Sequence, residues 1–349
     1  MPAKLQMMDH QISEIRELLS IPNYIAIVSH RNPDGDAVGS CLGLYHYLNQ
    51  LGHTVRVVLP SEYPANFSWM PDVEDITIYD IFQERSAEII SSANIIFCLD
   101  FNALDRIDKL GELIHNRSGV TKILIDHHLD PEPFADYIIS DTSSSSTCEL
   151  IYQFISDLGD KSKVTIPIAE CLYTGMMTDT GSFKYATNVR LFQQMAELKG
   201  LGLEDYKIQD LIFNSAHEKQ LRLLGHCLAN RMEVLPEYQT AIIHLFKQDY
   251  VDFDIKRGDT EGIVNQLLLM KNIKVAAFIT EQPNIVKFSV RSKGDLNVQE
   301  ICQKYFNGGG HKNASGGYMH SNIHAAIRKF KEILPLYRDK ILAAQVGNP

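Results

Sequence analysis

The sequence has no apolar run that could cross a bilayer. Its longest apolar stretches, such as Ile95–Leu99 and Leu267–Met270, fall far short of the roughly 20 residues a spanning helix needs. The first residues reach Asp9, Glu14 and Glu17 quickly. They lack the apolar segment and small-residue cleavage site of a secretory leader, so a cytoplasmic, membrane-free protein is expected. Cysteine is sparse and scattered: Cys41, Cys98, Cys148, Cys171, Cys227 and Cys302 include no pair at CxxC spacing. That argues against a zinc ribbon or a disulfide framework and for reduced, buried thiols. There is no internal repeat. The one low-complexity patch, Ser143–Ser146, reads as a loop and helix N-cap ahead of Glu149–Ile155. An excess of basic charge is also missing. The formal net charge is −10, which disfavours a grip on long duplex nucleic acid.

What is present suggests two domains. The chain has 349 residues, 45% of them hydrophobic, too many for one ordinary core. The charge is uneven: residues 1–229 balance at −14 and residues 230–349 at +4. The acidic part suits cations and the mildly basic part an anion. In the first part, short apolar runs at Tyr24–Val28, Thr54–Leu59, Ile95–Leu99 and Lys122–Ile125 alternate with helical stretches. This predicts an α/β domain with a parallel sheet and helices on both faces over residues 1–188. Asp9–Ser20, with Ile12, Ile15, Leu18 and Leu19 on one face, reads as an amphipathic helix. Residues 189–229 read as a helical linker. Residues 230–349 read as a smaller α/β domain, with strands at Thr240–Leu245, Val275–Thr280 and Ile285–Ser292. Helices are expected near Asp259–Met270, Asn297–Phe306 and His324–Leu342.

Four clusters of aspartate and histidine are expected just beyond strands. They are Ser29–Asp36, with His30, Asp34 and Asp36; Asp100; Asp126-His127-His128; and Asp179 in Met177–Gly181. Each alone is ordinary, because an aspartate at a strand end is commonly a cap or turn residue. Together they converge, since parallel strands share one carboxyl edge, where such sheets bind ligands. Carboxylates and histidines crowded there repel one another or stay poorly solvated unless cations join them. Mixed histidine and carboxylate donors with no thiolate suit manganese or magnesium better than structural zinc. Two such ions form a clamp for in-line attack on phosphorus.

These four segments resemble the motifs of the DHH phosphoesterase superfamily, named for the triplet seen here as Asp126-His127-His128. The resemblance covers almost the whole chain. Gly308-Gly309-Gly310-His311-Lys312-Asn313-Ala314-Ser315-Gly316-Gly317 looks like the glycine-rich signature of the DHH-associated C-terminal domain. It implies a site in the interdomain cleft holding two divalent cations. Manganese is the expected ion, with magnesium or cobalt as alternatives. One ion would take His30, Asp34 and Asp100, the other Asp36, Asp100, His127 and Asp179, with Asp100 bridging. A hydroxide between the ions would attack phosphorus. His128 would act at the substrate phosphate or leaving oxygen; a hydrogen bond to a ligand is its competing reading. Arg291, Gly308, Gly309, Gly310, His311 and Ser315 would bind substrate, with Asn313 a weaker candidate.

The resemblance is nearest to the bifunctional oligoribonuclease and pAp phosphatase group. Its members cleave short RNA to mononucleotides and convert 3′-phosphoadenosine 5′-phosphate to AMP. Short RNA and small nucleotides are therefore the expected partners, and a homodimer is compatible with the sequence. Cyclic or linear dinucleotide phosphodiesterases are the first alternative. Exonucleases of the RecJ type are usually longer, and pyrophosphatases and exopolyphosphatases lack the Gly-Gly-Gly-His loop. A nucleotide-binding regulator without hydrolysis would be missing a ligand, and none is missing.

Overall fold

The computed structural model describes residues 3–214, 216–256 and 258–345, with side chains from His10 onward. It divides into two compact units, residues 1–215 and 216–349.

The first unit is built on strands β1 (Tyr24–Val28), β2 (Thr54–Leu59), β3 (Thr77–Ile78), β4 (Ile95–Leu99), β5 (Thr121–Asp126) and β6 (Tyr137–Ser140). They form one sheet in the order β3-β2-β1-β4-β5-β6, all parallel. The central strands are apolar along their whole length, which is how strands covered on both faces read. Successive side chains alternate between two cores. Ile25, Ile27, Phe97, Leu99, Ile123 and Ile125 join one core. Ala26, Val28, Ile96, Cys98 and Leu124 join the other. Burying each large aliphatic side chain contributes about 1.5–3 kcal/mol, so register is fixed by the loss a one-residue slip would bring.

Helices α1 (Ala3–Leu18), α2 (Gly35–Gln50), α3 (Gln83–Ser92), α4 (Lys109–His115), α5 (Thr147–Asp157) and α6 (Ile166–Asp179) complete the two layers. Helix α2 follows β1 directly and is buried along most of its length. It lies so close to α6 that a Cβ on Gly39 would stand 2.4 Å from the Cys171 carbonyl oxygen.

The expected linker does not stand apart. Helices α7 (Val189–Gly200) and α8 (Asp205–Phe213) insert Leu191, Leu198, Ile208 and Ile212 into the first unit's core. Helix α9 (Glu218–Asn230) gives Leu223 and Cys227 to the second. Apolar positions repeating at helical spacing seek a core, and here the segment 189–229 is shared between two.

The second unit has strands β7 (Met232–Leu235), β8 (Thr240–Leu245), β9 (Val275–Glu281), β10 (Val286–Ser292), β11 (Gly309–Gly310) and β12 (Ala314–Met319). Their order is β11-β12-β10-β9-β8-β7. The pairs are antiparallel except β8 with β9. Short helices α10 (Lys247–Asp252) and α11 (Ile263–Leu267) follow β8; the helix expected near Asp259–Met270 is only this one turn. Helices α12 (Gln299–Tyr305) and α13 (Ile323–Ala343) cover the face where Phe288, Phe306 and Phe330 stack, with centroids 4.1–6.5 Å apart. The glycine-rich segment, read from sequence as a loop, is largely sheet. All six cysteines are free and buried. No helix of the described residues is long and apolar enough to cross a membrane.

Candidate metal centre

In the first sheet the chain leaves β1 toward β2 on one side and returns at β4 on the other. The carboxyl ends of β1 and β4 therefore flank the switch point, where parallel sheets open a crevice. The loop after β1 carries His30, Asp34 and Asp36, and Asp100 follows β4. Asp126 ends β5, with His127 and His128 beyond it. Asp179 arrives by another route: it is the last residue of helix α6, not a residue beyond a strand. The apolar run Ile168–Met177 is a helix packed against α2, and its carboxyl end reaches the same place.

The side chains meet in two groups that share Asp100. His30, Asp34 and Asp100 form one, and Asp36, Asp100 and His127 the other; within each, ligand atoms lie within 4.8 Å of one another. His30 Nε2 is 3.3 Å from Asp100 Oδ2 and 3.9 Å from Asp34 Oδ1. His127 Nε2 is 3.6 Å from Asp100 Oδ1, 3.8 Å from Asp36 Oδ2 and 3.5 Å from Asp179 Oδ2. Thus the two oxygens of Asp100 face different histidines. Asp100 sits at φ +64°, a left-handed conformation that aspartate tolerates better than most residues. Its N–H donates to the Ile125 carbonyl at 3.2 Å.

The histidines are oriented from behind. His30 Nδ1 lies 2.9 Å from the Arg31 carbonyl oxygen, and His127 Nδ1 lies 3.4 Å from that of Ser144. A carbonyl only accepts, so each Nδ1 carries the proton and Nε2 is left to meet the carboxylates. His128 Nδ1 donates to Asp126 Oδ1 at 2.7 Å. Asp126, fully buried, is thus a further member of the site, one to which the sequence motifs alone assign no role. Its i, i+2 spacing from His128 is the signal that could have found it. Asp34 also keeps the ordinary role of such a residue: its Oδ1 accepts from the N–H groups of Asp36 and Ala37 and caps α2.

The electrostatics ask for cations. Burial first, then the charges of Asp36, Asp34, Asp179 and Asp126, pushes the Asp100 carboxyl well above the usual aspartate range. Burial and Asp36 do the same to Asp179, against an opposing pull from His127. Burial lowers His30. Burial also opposes the charged form of His127, but Asp179, Asp36 and Asp126 outweigh it and raise the imidazole above its ordinary value. These carboxylates therefore lack compensating positive charge. Oxygen and imidazole donors with no thiolate close enough to join them fit divalent cations such as manganese or magnesium.

In the second unit, Arg291 on β10 lies opposite Ala314, and Val290 lies opposite Ser315. Gly310 pairs with Ser315 and Gly309 with Gly316. The sheet therefore brings Arg291 and the glycine-rich segment together. Arg291 is half-buried, which lowers its pKa, and it forms no ion pair with a carboxylate among the described residues. Gly308 and Gly310 are needed for close strand packing: a Cβ on Gly308 would come 1.9 Å from the Gly316 carbonyl oxygen. Gly310 adopts φ +132°, whereas Gly309 has nothing within 4 Å of its Cβ position. Ser315 Oγ donates to the His311 carbonyl at 3.1 Å, inside a turn closed by the His311 and Ala314 amides. Asn313 Nδ2 donates to Ser292 Oγ, Gly294 O and Leu296 O. Both side chains are therefore committed to holding the turn.

A doubly covered parallel sheet with paired histidine–carboxylate groups at its switch point defines an α/β protein equipped to bind divalent cations. The chain belongs to the DHH family. Residues 24–176 match the DHH family N-terminal domain and residues 239–335 the DHHA1 domain. It is 28% identical to the bifunctional oligoribonuclease and PAP phosphatase NrnA of Thermus thermophilus, covering 87% of this chain and 86% of that one. The Bacillus subtilis protein of the same name is 26% identical, over 88% of this chain and 93% of its own. A solved structure, an exopolyphosphatase-related protein from Bacteroides fragilis, is 40% identical with a TM-score of 0.92, covering 95% of this chain and 98% of that one.

Proposed function

We propose that the chain is a metal-dependent phosphoesterase that hydrolyses short oligoribonucleotides to mononucleotides and 3′-phosphoadenosine 5′-phosphate to AMP. The observation that carries this reading is the pair of donor groups joined through Asp100, in a chain similar to proteins named for those two activities. His30, Asp34 and Asp100 hold one divalent cation. Asp36, Asp100, His127 and Asp179 hold the other. Manganese is the proposed ion, acting in the cytoplasm. Cations bound there supply Lewis acidity at the scissile phosphate and acidify water.

The chain's own groups do the rest. Asp100 belongs to both donor groups and keeps them at a fixed spacing. Asp126 accepts from His128 Nδ1 and so holds the ring with its other nitrogen turned away, to carry a proton for the leaving oxygen. In the second unit, the Arg291 guanidinium binds a phosphate as a planar fork. Gly308, Gly309, Gly310 and His311 offer backbone and imidazole donors to the rest of the substrate. Ser315 contributes by holding their turn.

The test is product analysis with purified protein and manganese, supplying 3′-phosphoadenosine 5′-phosphate, a short RNA, a cyclic dinucleotide and pyrophosphate side by side. AMP from the first and mononucleotides from the second are expected. Turnover of only the cyclic dinucleotide, or only pyrophosphate, overturns the substrate assignment. Asp100→Asn keeps a residue that tolerates the left-handed backbone. It should abolish turnover while the far-ultraviolet spectrum stays unchanged; activity equal to the parent overturns the metal assignment.

A further inference from the structure

Ser143–Ser146 reads from sequence as a loop and a cap, yet residues 144–148 bond to three residues of the proposed metal centre. Ser146 caps α5, its Oγ accepting from the Glu149 N–H. The next two amides of that helix do not point to solvent. Thr147 N–H donates to Asp36 Oδ2 at 2.6 Å and Cys148 N–H to Asp36 Oδ1 at 2.9 Å. Thr147 Oγ1 donates to Asp100 Oδ1 at 3.0 Å. The Ser144 carbonyl meets His127 Nδ1. Asp36, Asp100 Oδ1 and His127 belong to one of the two proposed donor groups. Thr147 bonds to Asp100 Oδ1 and not to Oδ2, the oxygen on the His30 side.

The segment is itself anchored. Fully buried Glu149 accepts from the Ser145 N–H at 2.6 Å and from Arg190 Nε at 2.5 Å, and Arg190 also reaches Asp141. Thr147 is fully buried, so its hydroxyl cannot exchange Asp100 for water. A hydrogen bond to one oxygen of a carboxylate fixes the carboxylate's rotation and takes up one of that oxygen's acceptor sites.

We propose that Thr147 is a positioning residue that makes the two cation sites unequal, by orienting Asp100 Oδ1 toward the site of Asp36, His127 and Asp179. This inference rests on the two-cation reading above. Removing the hydroxyl frees Asp100 Oδ1 and weakens the cation on that side more than the other. The backbone amides that hold Asp36 are untouched by a side-chain change at this position.

The experiment is calorimetric measurement of manganese binding to chelator-treated protein, without substrate. The parent is expected to bind two ions. Thr147→Val, close in volume but without the hydroxyl, should lose about 10–100-fold in affinity at one site, the loss usual for an outer partner of a metal ligand. The other site should lose clearly less. Thr147→Ser, which keeps the hydroxyl, should bind both ions like the parent. Thr147→Ala is read in the same way as the valine variant if the latter does not fold. Parent-like binding by the valine or alanine variant, equal weakening of both sites, or a loss in the serine variant overturns the role of Thr147. A parent that binds fewer than two ions overturns the two-cation reading itself.

Discussion

At the scale of single residues, the proposed centre depends on partners that turn side chains as much as on the ligands themselves. Asp126 holds His128 through one 2.7 Å bond, so Asp126→Asn should lower kcat by about 10–100-fold, with a smaller change in KM. Steady-state kinetics on a short RNA would check it. Arg291 is half-buried with no carboxylate partner among the described residues, a costly arrangement that an anion would relieve. Arg291→Ala should raise KM about 10–100-fold, in line with about 1.5–3 kcal/mol for a hydrogen bond to a charged group. Arg291→Lys should recover little of it, because a point charge lacks the planar fork. Histidine and aspartate announce themselves in a sequence because few other roles place so many of them beyond strands. A threonine hydroxyl or a second-layer aspartate carries no such mark, which is why Thr147 and Asp126 became visible only through their contacts.

At the scale of elements, the site is as precise as the packing of α2, α5 and α6. Gly175 on α6 faces both neighbours: a Cβ there would stand 2.2 Å from Cys148 Sγ on α5 and 2.7 Å from Asp36 Oδ1 on α2. Gly175→Ala should cost about 1–3 kcal/mol by overpacking, read as a lower denaturation midpoint, and should also weaken manganese binding because Asp36 must move. Helix α5 adds a dependence on pH. Burial opposes ionisation of Glu149, but bonds from Ser145 and Arg190 outweigh it and hold its pKa below the ordinary 4.5. A carboxylate depressed in the folded state stabilises above its unfolded pKa and loses that contribution as pH falls through the folded value. Thermal midpoints of the parent should therefore fall in that acid range relative to neutral pH, and Glu149→Gln should flatten this part of the profile. The parallel strands of the first unit were legible because they read as continuous apolar runs. Asp179 was misplaced on a strand end because a short apolar run does not separate strand from buried helix. Strand β12 was missed because glycine carries no strand signal and enters a sheet for close approach.

At the scale of the whole molecule, folding assembles like charges that cations would stabilise. Manganese at about 100 times its dissociation constant should stabilise the fold by roughly 2.7 kcal/mol per site, if it binds the folded state alone. Chelation should remove that gain, read as a concentration-dependent shift in the melting midpoint. A midpoint indifferent to both manganese and chelator would contradict the assignment. The sequence by itself determined the first unit's parallel sheet, the main strands of the second, and which aspartates and histidines gather. Each of these follows from local apolar period and from the shared carboxyl edge of parallel strands. Tertiary structure alone decided that residues 189–229 divide between two cores, that Asp179 arrives on a helix, and that Asp100 offers a different oxygen to each donor group. Those outcomes depend on which distant surfaces meet, and contacts across 47 residues, as between Thr147 and Asp100, leave no periodic trace in the chain.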